Sequence, residues 1–387
     1  MKVVWIVPGF SSDERDWCIP ALLDLARVMA SQCELHIVSL RYPYRRDRYS
    51  VYGATVHSIG GGHRGAWFTP SIWRAAQNVI DQLDFDVLHA WWLYEPGLLA
   101  ARLKKRAPIV ISLAGGELIN LPSIGYGLAR RFYLRWLMRW SLRRADVVTT
   151  GSNCLIEIAK KFEAVKRIEF APLGVDTTMF TPSRISGVEA SAGAGVIEPA
   201  KASTPESRVI LNVGSLEPVK DQTTLLHAFK KVHDQLPNTR LIIAGEGNLH
   251  CPLSRLADTL NLTPFVEFRG EVPHHQLPDL YRSASVFVQS SRHESQGMAL
   301  LEAAACGVPI VGTRAGTLSD LAPDAAFGTT IGNEDELAAA IIGVLIQPDR
   351  AAEISQAARS IIKHEYALDR SVDRFRKIYR DLTGRHD

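Results

Sequence analysis

The chain has 387 residues, of which 46% are hydrophobic and 22% are charged, which excludes a single small module, a collagen-like fibre and wholesale disorder. Its 44 Lys and Arg residues against 41 Asp and Glu residues give a formal charge of +3, too balanced for a protein that coats nucleic acid. The five cysteines are scattered without a CxxC pair, so we predict neither a disulfide framework nor a zinc site, and a reducing compartment is favoured.

Short apolar runs rich in β-branched residues alternate with longer helix-like stretches, a pattern typical of βαβ units around parallel sheets. The predicted strands of the first half are 3–7, 36–40, 87–91, 109–113, 147–150 and 167–172. Those of the second half are 209–214, 240–245, 266–270, 286–290 and 309–313. Because such strands need helices on both faces, the sequence predicts an α/β protein with two doubly wound parallel sheets.

The predicted domains follow from a change in composition. Residues 181–207 are dominated by Ala, Ser, Gly, Pro and Thr, which indicates a flexible linker or insertion. We therefore place one domain at 1–180, a second at 208–366 and a final helix at 367–387. This helix follows a complete second domain, and one place for it to pack is the first domain. Ligands of parallel sheets bind beyond the carboxyl ends of the strands, so the cleft between the domains is the expected functional site.

No targeting or membrane-spanning segment is predicted. The first apolar run ends at a Pro-Gly turn after only five residues, which is shorter than the core of a signal peptide. No stretch approaches the roughly 18 apolar residues that a spanning helix needs. We expect a cytoplasmic protein, or one on the inner face of a membrane.

The segment VGSLEPVKD (213–221) combines a strand end, a turn and a helix start, with Gly214 and Ser215 at the strand end and Lys220 before the helix. A lysine at a helix N-terminus favours an anionic group such as a diphosphate. A surface lysine at a helix start explains the same pattern without a function. The Gly-rich turn IAGEGN (243–248) is weak by itself.

The segment 290–313 carries more information. Ser295, Gln296 and Gly297 open a predicted helix whose free N–H groups face the cleft. Glu294 precedes them and Glu302 follows eight residues later in an otherwise apolar helix, where a lone carboxylate needs a partner. Carboxylates accept paired hydroxyl hydrogen bonds, which suits the vicinal diols of a sugar or a ribose.

These segments, with residues 268–291 and PLGVDTTMF (172–180), resemble the donor half of retaining glycosyltransferases of family 4, which have the GT-B fold. The likeness is specific over 208–321 and mainly one of fold pattern over 1–170. It implies a retaining, metal-independent hexosyltransferase that uses no cofactor. The donor would be a nucleoside diphosphate sugar and the acceptor a glycan or lipid-linked glycan, as in cell-envelope or extracellular polysaccharide synthesis.

The resemblance also implies roles for individual residues. Lys220 would neutralise the donor diphosphate, Glu294 would hold hydroxyls of the transferred sugar, and Glu302 would bind the ribose. The remaining donor-side residues would contribute backbone groups: Gly9 at the first strand end, Gly214, Ser215, Ser295, Gln296, Gly297 and Met298 near the phosphates, and Arg269 to Val272 beside the base.

The chain departs from the family pattern at two positions. Ser215 stands where the family often has an arginine, with Arg292 and Arg314 as candidate replacements. Ala114 stands where the family often has a histidine. Gly115, Gly116 and Glu117 remain as acceptor-side candidates, and His89 is the nearest alternative histidine, although a histidine at a strand end is more often a hydrogen-bonded core residue.

Two further patterns suggest other kinds of site. Asp84-Phe85-Asp86 matches the DxD of metal-dependent glycosyltransferases, but it stands at the amino end of a strand, so a turn or cap is favoured and no metal site is predicted. Residues 127–146 carry arginines at i, i+4 spacing among aromatic residues, which indicates either a helix on an anionic membrane or the solvent face of a core helix. RYPYRRDRY (41–49) is expected to be a second basic, aromatic loop. Single-stranded nucleic acid also suits such patterns, but the donor motifs speak against it.

Two other classes of function stay open. An epimerase or phosphorylase of the same fold would turn over without an acceptor, and a non-catalytic nucleotide-sugar-binding protein would release nothing. A dinucleotide-dependent oxidoreductase is disfavoured because no GxGxxG opens a helix after a strand.

Overall fold

The structure is a computed structural model that describes residues 1–62, 69–104, 106–162, 164–182 and 207–384. Most of the predicted linker at 181–207 therefore lies outside the described residues, as do the last three residues of the predicted final helix. Within the described ranges, no helix combines the length and the hydropathy needed to cross a membrane.

The first half forms an eight-stranded sheet in the order β3-β4-β2-β1-β5-β6-β7-β8, parallel except where β3 pairs with β4. Its strands are β1 (Lys2–Gly9), β2 (Glu34–Tyr42), β3 (Asp47–Val51), β4 (Ala54–Ser58), β5 (Val87–Trp91), β6 (Ile109–Leu113), β7 (Val147–Thr150) and β8 (Ile168–Phe170). Its helices are α1 (Pro20–Ala30), α2 (Pro70–Asp81), α3 (Glu95–Arg102), α4 (Phe132–Arg144) and α5 (Asn153–Lys160).

The second half forms a six-stranded parallel sheet in the order β11-β10-β9-β12-β13-β14. Its strands are β9 (Arg208–Val213), β10 (Thr239–Ala244), β11 (Val266–Gly270), β12 (Val286–Gln289), β13 (Ile310–Thr313) and β14 (Phe327–Thr329). The helices that follow β9 are α6 (Gln222–Gln235), α7 (His250–Thr259), α8 (Leu277–Arg282), α9 (Met298–Ala305), α10 (Thr317–Leu321), α11 (Glu334–Ile346), α12 (Pro348–Glu365) and α13 (Leu368–Thr383).

Each sheet has a hydrophobic core on both faces, as a doubly wound fold requires. In β1, Val4 and Ile6 point into one core cluster, while Val3 and Trp5 point into another on the opposite face. The second sheet is likewise covered by two separate clusters. The continuous apolar runs of the sequence are explained by this burial on both faces.

The β3–β4 hairpin was not predicted, and the expected loop at 41–49 is wrong at both ends, because β2 runs to Tyr42 and β3 begins at Asp47. Tyr52 and Gly53 link β3 to β4, and both have positive φ angles, 47° and 85°, which suits the tight turn of a twisted hairpin. β3 is an edge strand with mostly exposed side chains, so it lacks the apolar signal of a buried strand. The edge strand β14 was not predicted either, because it has only three residues, one of them Gly328.

The chain crosses between the two sheets twice, and the crossings lie side by side. The N–H of Val175 donates to the carbonyl of Tyr366 at 2.8 Å, and the N–H of Leu368 donates to the carbonyl of Val175 at 3.0 Å. α13 then packs on the first sheet, where Phe375 and Tyr379 are fully buried in the cluster that contains Trp5. The last helix therefore completes the core of the first half.

Candidate functional site

A cavity of about 270 Å³ lies between the carboxyl ends of the two sheets. The first half contributes the carboxyl ends of β5, β6 and β7 and residues that follow β6, β7 and β8. The second half contributes the end of β9, the turn before α6 and the start of α9. The lining residues are Trp91, Ser112, Leu113, Ala114, Thr149, Thr150, Gly151, Ala171, Leu173, Val213, Gly214, Lys220, Glu294, Ser295, Gln296, Gly297, Met298 and Ala299.

The backbone around Lys220 is held by the turn that precedes α6. Asp221 adopts a left-handed conformation with φ of 50° at the N-cap of α6, and its carboxylate accepts from the hydroxyl of Thr224 at 3.0 Å. The hydroxyl of Ser290 donates to the carbonyl of Lys220 at 2.8 Å. These contacts tie the turn to the loop that follows β12, so Lys220 and Glu294 are placed on facing loops.

Lys220 and Glu294 form an ion pair at the wall of the cavity. The Nζ of Lys220 lies 2.6 Å from Oε1 of Glu294, and the hydroxyl of Ser291 donates to the same oxygen at 2.6 Å. The side chains are 26% and 11% exposed, so the pair is largely shielded from water. Charge-assisted hydrogen bonds of this kind fix both groups in one orientation.

The start of α9 is shaped by Gly297, which has a φ of 96° at the N-cap. A Cβ at this position would lie 3.0 Å from Oε1 of Gln289, so both the conformation and the space favour glycine. The first N–H groups of α9 have no carbonyl partner within the helix and lie at the cavity, which gives this wall a positive potential.

Ser295 and Gln296 connect the second half to the first. The hydroxyl of Ser295 donates to the carbonyl of Ala114 at 3.0 Å. The side-chain amide of Gln296 donates to the carbonyl of Leu173 at 2.6 Å, and its oxygen accepts from the N–H of the same residue at 2.9 Å. The sequence predicted only backbone contacts for these two residues, whereas their side chains hold the two halves together at the cavity.

Glu302 does not line the cavity, and both of its oxygens have protein partners. Oε2 accepts from the hydroxyl of Tyr281 at 2.7 Å, and Oε1 lies 3.3 Å from Nε2 of His274. Burial first, and then the charge of Glu302, raise the pKa of Tyr281 well above its usual value. Burial opposes the charged form of His274, but the hydrogen bond to Glu302 and nearby carboxylates outweigh it, so the pKa of His274 is raised.

The segment Arg269 to Val272, expected beside a base, also lies outside the cavity lining. Gly270 has a φ of 71°, and its carbonyl accepts from the N–H of Gly245 at 2.7 Å. The indole N–H of Trp17, from the first half, donates to Glu271 at 3.2 Å. This segment therefore contacts both halves next to the cavity.

The acceptor-side candidates have mainly structural contacts. Glu117 is buried and accepts hydrogen bonds from the N–H groups of Gly115 at 2.8 Å and Leu93 at 3.2 Å. Burial raises the pKa of Glu117, although these hydrogen bonds act against it. A Cβ at Gly116 would lie 2.4 Å from the ring of Tyr126. The two glycines and Glu117 thus shape the loop after β6, while Gly9 ends β1 beside Tyr42.

His89 lies in the core of the first half and not at the cavity. It is fully buried, its Nδ1 lies 2.6 Å from the hydroxyl of Tyr379, and its Nε2 lies 2.7 Å from the hydroxyl of Ser112. Burial lowers the pKa of His89 to about 3. The expectation of an acceptor-side role is corrected accordingly, because α13 covers this histidine.

The two carboxylates of the DxD pattern lie at the amino end of β5, where they bind the first residues of β1. Asp86 accepts from the N–H of Lys2 at 2.8 Å, and Asp84 lies 3.0 Å from the Nζ of Lys2. Among the described residues, no group of three or more His, Cys, Asp or Glu side chains is arranged to hold a metal ion.

Neither candidate replacement for the arginine missing at Ser215 lines the cavity. The Nε of Arg292 lies 2.9 Å from the carboxylate of Asp221, and Arg314 is exposed beside β14. Within the described chain, Lys220 is therefore the cationic side chain that reaches the cavity wall.

His293 and Tyr126 also lie near Glu294, and neither was predicted from the sequence. Their rings lie 6.1 Å apart and come from opposite halves. His293 is 8% exposed, and within the described ranges its Nε2 has no hydrogen-bond partner. Burial lowers the pKa of His293. The sequence offered one indication of a role for His293, namely its position next to Glu294.

Comparison with known proteins identifies the family. Residues 21–179 match the family described as Glycosyltransferase Family 4, and residues 196–361 match the one described as Glycosyl transferases group 1. The chain belongs to the family 4 glycosyltransferases. This family assignment confirms the resemblance that was drawn from the donor motifs.

Several curated glycosyltransferases are similar in sequence. The GDP-mannose-dependent alpha-(1-6)-phosphatidylinositol monomannoside mannosyltransferase of Mycolicibacterium smegmatis is 31% identical over 245 residues, which cover 60% of this chain and 61% of that protein. The N-acetyl-alpha-D-glucosaminyl L-malate synthase of Bacillus anthracis is 23% identical over 362 residues, 90% and 89% of the two chains. D-inositol 3-phosphate glycosyltransferase 2 of Catenulispora acidiphila is matched over 45% of its length. The chain thus spans 61% of the length of the first of these relatives and 45% of the third.

Solved structures establish the fold of this glycosyltransferase. Sucrose-phosphate synthase from Thermosynechococcus elongatus aligns with a TM-score of 0.83 at 17% identity, over 99% of this chain and 100% of that chain. HepE from Anabaena, solved in complex with UDP-glucose, aligns with a TM-score of 0.71 at 16% identity over the same shares. The predicted GT-B architecture, with two parallel-sheet α/β units, is confirmed.

Proposed function

We propose that this chain is a retaining, metal-independent glycosyltransferase that moves a sugar from a nucleoside diphosphate sugar to a hydroxyl of a glycan or lipid-linked glycan. Its place would be cell-envelope or extracellular polysaccharide synthesis. The observation that carries the proposal is the pairing of Lys220 with Glu294 at 2.6 Å, beside the N-terminus of α9, in one cavity between two sheets.

This arrangement suits a departing diphosphate. Lys220 and the N–H groups at the start of α9 place positive charge on one wall of the cavity, where the leaving group gains negative charge. The ammonium of Lys220 would serve in place of a divalent cation. Glu294 orients Lys220 and offers its remaining hydrogen-bonding capacity to hydroxyls of the sugar.

The proposed reaction needs no protein nucleophile. The acceptor oxygen forms a bond to the anomeric carbon on the face from which the diphosphate leaves, the bond from that carbon to the phosphate oxygen breaks, and a phosphate oxygen takes the acceptor proton. The products are the glycoside and the nucleoside diphosphate. The protein contributes positioning and charge stabilisation.

Glu302 remains the proposed partner of the ribose. Each carboxylate oxygen can accept two hydrogen bonds, so the contacts with Tyr281 and His274 leave capacity for a diol. The backbone of Arg269 to Val272, next to the cavity, is the proposed neighbour of the base.

The names of relatives support the donor and acceptor classes. One relative is named as GDP-mannose-dependent and acts on a phosphatidylinositol mannoside, another is an alpha-monoglucosyldiacylglycerol synthase, and HepE was solved with UDP-glucose. Transfer from an alpha-linked donor to an alpha-linked product retains configuration. All five cysteines of this chain are free, as is usual in a reducing compartment, which supports a place on the cytoplasmic side.

Thermal unfolding with a panel of nucleoside diphosphates and their sugars, in the presence of a metal chelator, tests donor binding, because a ligand of the folded state raises the melting temperature. We expect a shift with one nucleotide and its sugars that is lost in Lys220→Ala. The cognate donor is then incubated with glycan and lipid-linked acceptors, and the anomeric configuration of the product is measured by NMR.

The outcomes separate the classes of function. Product that forms only with an acceptor, with retained configuration and with chelator present, supports the proposal. Turnover of the donor without an acceptor would indicate an epimerase or phosphorylase. Binding without turnover on any acceptor would indicate a nucleotide-sugar-binding protein, and inversion of configuration would overturn the mechanism.

A further inference from the structure

The outward face of α4 carries large aromatic side chains that are largely exposed to solvent. Phe132 is 85% exposed, Trp136 is 66% exposed and Tyr133 is 46% exposed. They account for three of the eight large hydrophobic side chains that are exposed in the described part of the chain. Because apolar surface of this size clustered in five residues is uncommon on a free protein surface, this face has the character of an interaction site.

The opposite side of α4 packs against the core of the first half. Leu134, Met138 and Leu142 are buried, and the last two join the core cluster of the first sheet. One face of the helix therefore packs in the core, whereas the aromatic face does not. The alternative that α4 is only a core helix with an arginine-rich solvent face does not explain Phe132 and Trp136.

The charge of this face is uniformly positive. Residues 130–144 contain six arginines and no Asp or Glu, and Arg131, Arg135 and Arg143 are exposed. The guanidinium of Arg131 donates to the hydroxyl of Tyr133 at 3.1 Å. Arginines interleaved with aromatic side chains complement an anionic lipid surface, where guanidinium groups bind headgroups and aromatic rings enter the interface.

The aromatic face begins close to the cavity. The N–H of Leu128 donates to the carbonyl of Gly116 at 3.3 Å, and Gly116 is two residues from Ala114, which lines the cavity. Phe132 follows Leu128 by four residues, so at most about 14 Å of chain separates them. A molecule anchored in a bilayer under α4 is therefore within reach of the cleft.

We propose that the outward face of α4, formed by Arg131, Phe132, Tyr133, Arg135, Trp136 and Arg143, binds a bilayer that contains anionic lipid and holds the cleft at the membrane surface. The role of this docking face rests on the proposed function, because a lipid-linked acceptor would be presented at such a membrane surface. Its existence as a lipid-binding surface is tested without any sugar transfer.

The test is flotation of the full chain with vesicles of phosphatidylcholine alone and vesicles that also contain phosphatidylglycerol. We expect flotation only with the anionic vesicles, and its loss when salt rises from about 0.1 M to about 1 M, since the screening length falls from about 10 Å to about 3 Å. Arg135→Glu/Arg143→Glu and Phe132→Ser/Trp136→Ser are each expected to reduce binding at least about tenfold, since one basic residue contributes about fivefold.

Matched controls lie on the second half. Arg255→Glu changes an exposed arginine on α7, and Ile346→Ser changes an apolar side chain that is 54% exposed at the end of α11. Both are expected to float like the unchanged protein. All of the substituted side chains of the docking face are exposed, so melting temperatures and nucleotide-induced shifts should stay unchanged in every variant.

The results that would overturn the docking face are specific. It fails if the unchanged protein does not float with anionic vesicles or if the docking-face variants float as it does. It also fails if those variants still float but lose self-association, since the face would then bind a second copy of the chain. Loss of binding to a single-stranded oligonucleotide with unchanged flotation would instead assign the face to nucleic acid. Failure of the nucleotide shift in the unchanged protein would instead contradict the proposed function and leave flotation unaffected.

Discussion

The Nζ of Lys220 lies 2.6 Å from Oε1 of Glu294, and this contact joins residues 74 positions apart at the wall of the cavity. Lys220 lies in the turn before α6, whereas Glu294 precedes α9. The ion pair thus brings together the two donor motifs that the sequence suggested separately. Their partial exposure leaves room for an anionic ligand to approach Lys220.

Replacing Lys220 by alanine should lower turnover by about two to three orders of magnitude. The reason is that removing one hydrogen-bond donor that stabilises negative charge in the transition state lowers kcat by about this factor in other enzymes. The fold should survive, since the lysine side chain is partly exposed. Steady-state kinetics and the melting temperature measure the two effects. Lys230→Ala, which removes a partly exposed lysine paired with Asp234 on α6, is the matched control and should keep its turnover. Near-normal activity of Lys220→Ala would remove the basis of the proposed site.

Glu294→Ala should also lower turnover by orders of magnitude, and the double variant with Lys220→Ala should lose much less than the product of the two single effects. Groups that act as one unit are not additive in this way. A double-mutant cycle on kcat measures the coupling. Full additivity would mean that the two side chains act independently despite their contact.

Glu302→Ala should weaken donor binding and also lower the free energy of unfolding by about 1–3 kcal/mol, because the buried hydroxyl of Tyr281 loses its acceptor. Urea unfolding with and without nucleotide separates the two effects. Tyr281→Phe is the comparison variant: it should reduce stability by about 1 kcal/mol and retain most of the donor affinity. A Glu302→Ala protein as stable as the unchanged one would contradict the contact with Tyr281.

Gln296→Ala should loosen the closed arrangement of the two halves, because it removes both hydrogen bonds to Leu173. Two such bonds contribute about 2 kcal/mol, which is roughly a thirtyfold change in the ratio of closed to open forms. Small-angle X-ray scattering should show a larger radius of gyration, and kcat should fall.

Gly151→Ala should reproduce that effect, since a Cβ there would lie 2.2 Å from Oε1 of Gln296. Combining it with Gln296→Ala should add little. Gly343→Ala on α11 is the control, because a Cβ at Gly343 meets no atom within 4 Å. Additive effects of the first two substitutions would show that Gly151 acts through something other than Gln296.

The burial of His89 predicts a pH dependence of stability. Its pKa is lowered to about 3 in the folded chain, against about 6.5 when unfolded, so between these values the unfolded state binds the extra proton. Stability should therefore rise with pH over this window and fall on acidification, by up to about 1.4 kcal/mol per pH unit. Urea unfolding from pH 6.5 to pH 4 measures the slope. His89→Asn should be less stable but have a shallower slope, and an unchanged slope would contradict the assignment.

The strands that are buried on both faces were predictable from the sequence. The bounds of β5 and β6 coincide with the apolar runs at 87–91 and 109–113, because only a central strand of a covered sheet is apolar throughout. The β3–β4 hairpin carries polar side chains at a sheet edge, so no such run marks it. The short motifs around Lys220 and Glu294 were equally visible, because strand ends, turns and helix starts have local sequence signals.

The surroundings of single side chains could not be predicted in this way. His89 stands near the end of a strand like a site residue, yet its position is decided by Tyr379, 290 residues further along the chain. The same holds for Glu302, whose partners Tyr281 and His274 come from α8 and the turn before it. Such contacts depend on how whole elements pack, and neither spacing nor composition records them.

The return of α13 to the first sheet has a consequence for the chain as a set of fragments. In a fragment of residues 1–182, Trp5 and Trp91 would be exposed on one face of the sheet, because α13, which buries them, comes from the C-terminal part of the chain. Residues 207–366 supply most of both layers of the second sheet, and Val175 and Phe180 pack into one of these layers from the preceding segment. Separate expression should therefore yield a folded second half, whereas the first half should need α13 joined ahead of β1, as in a circular permutant.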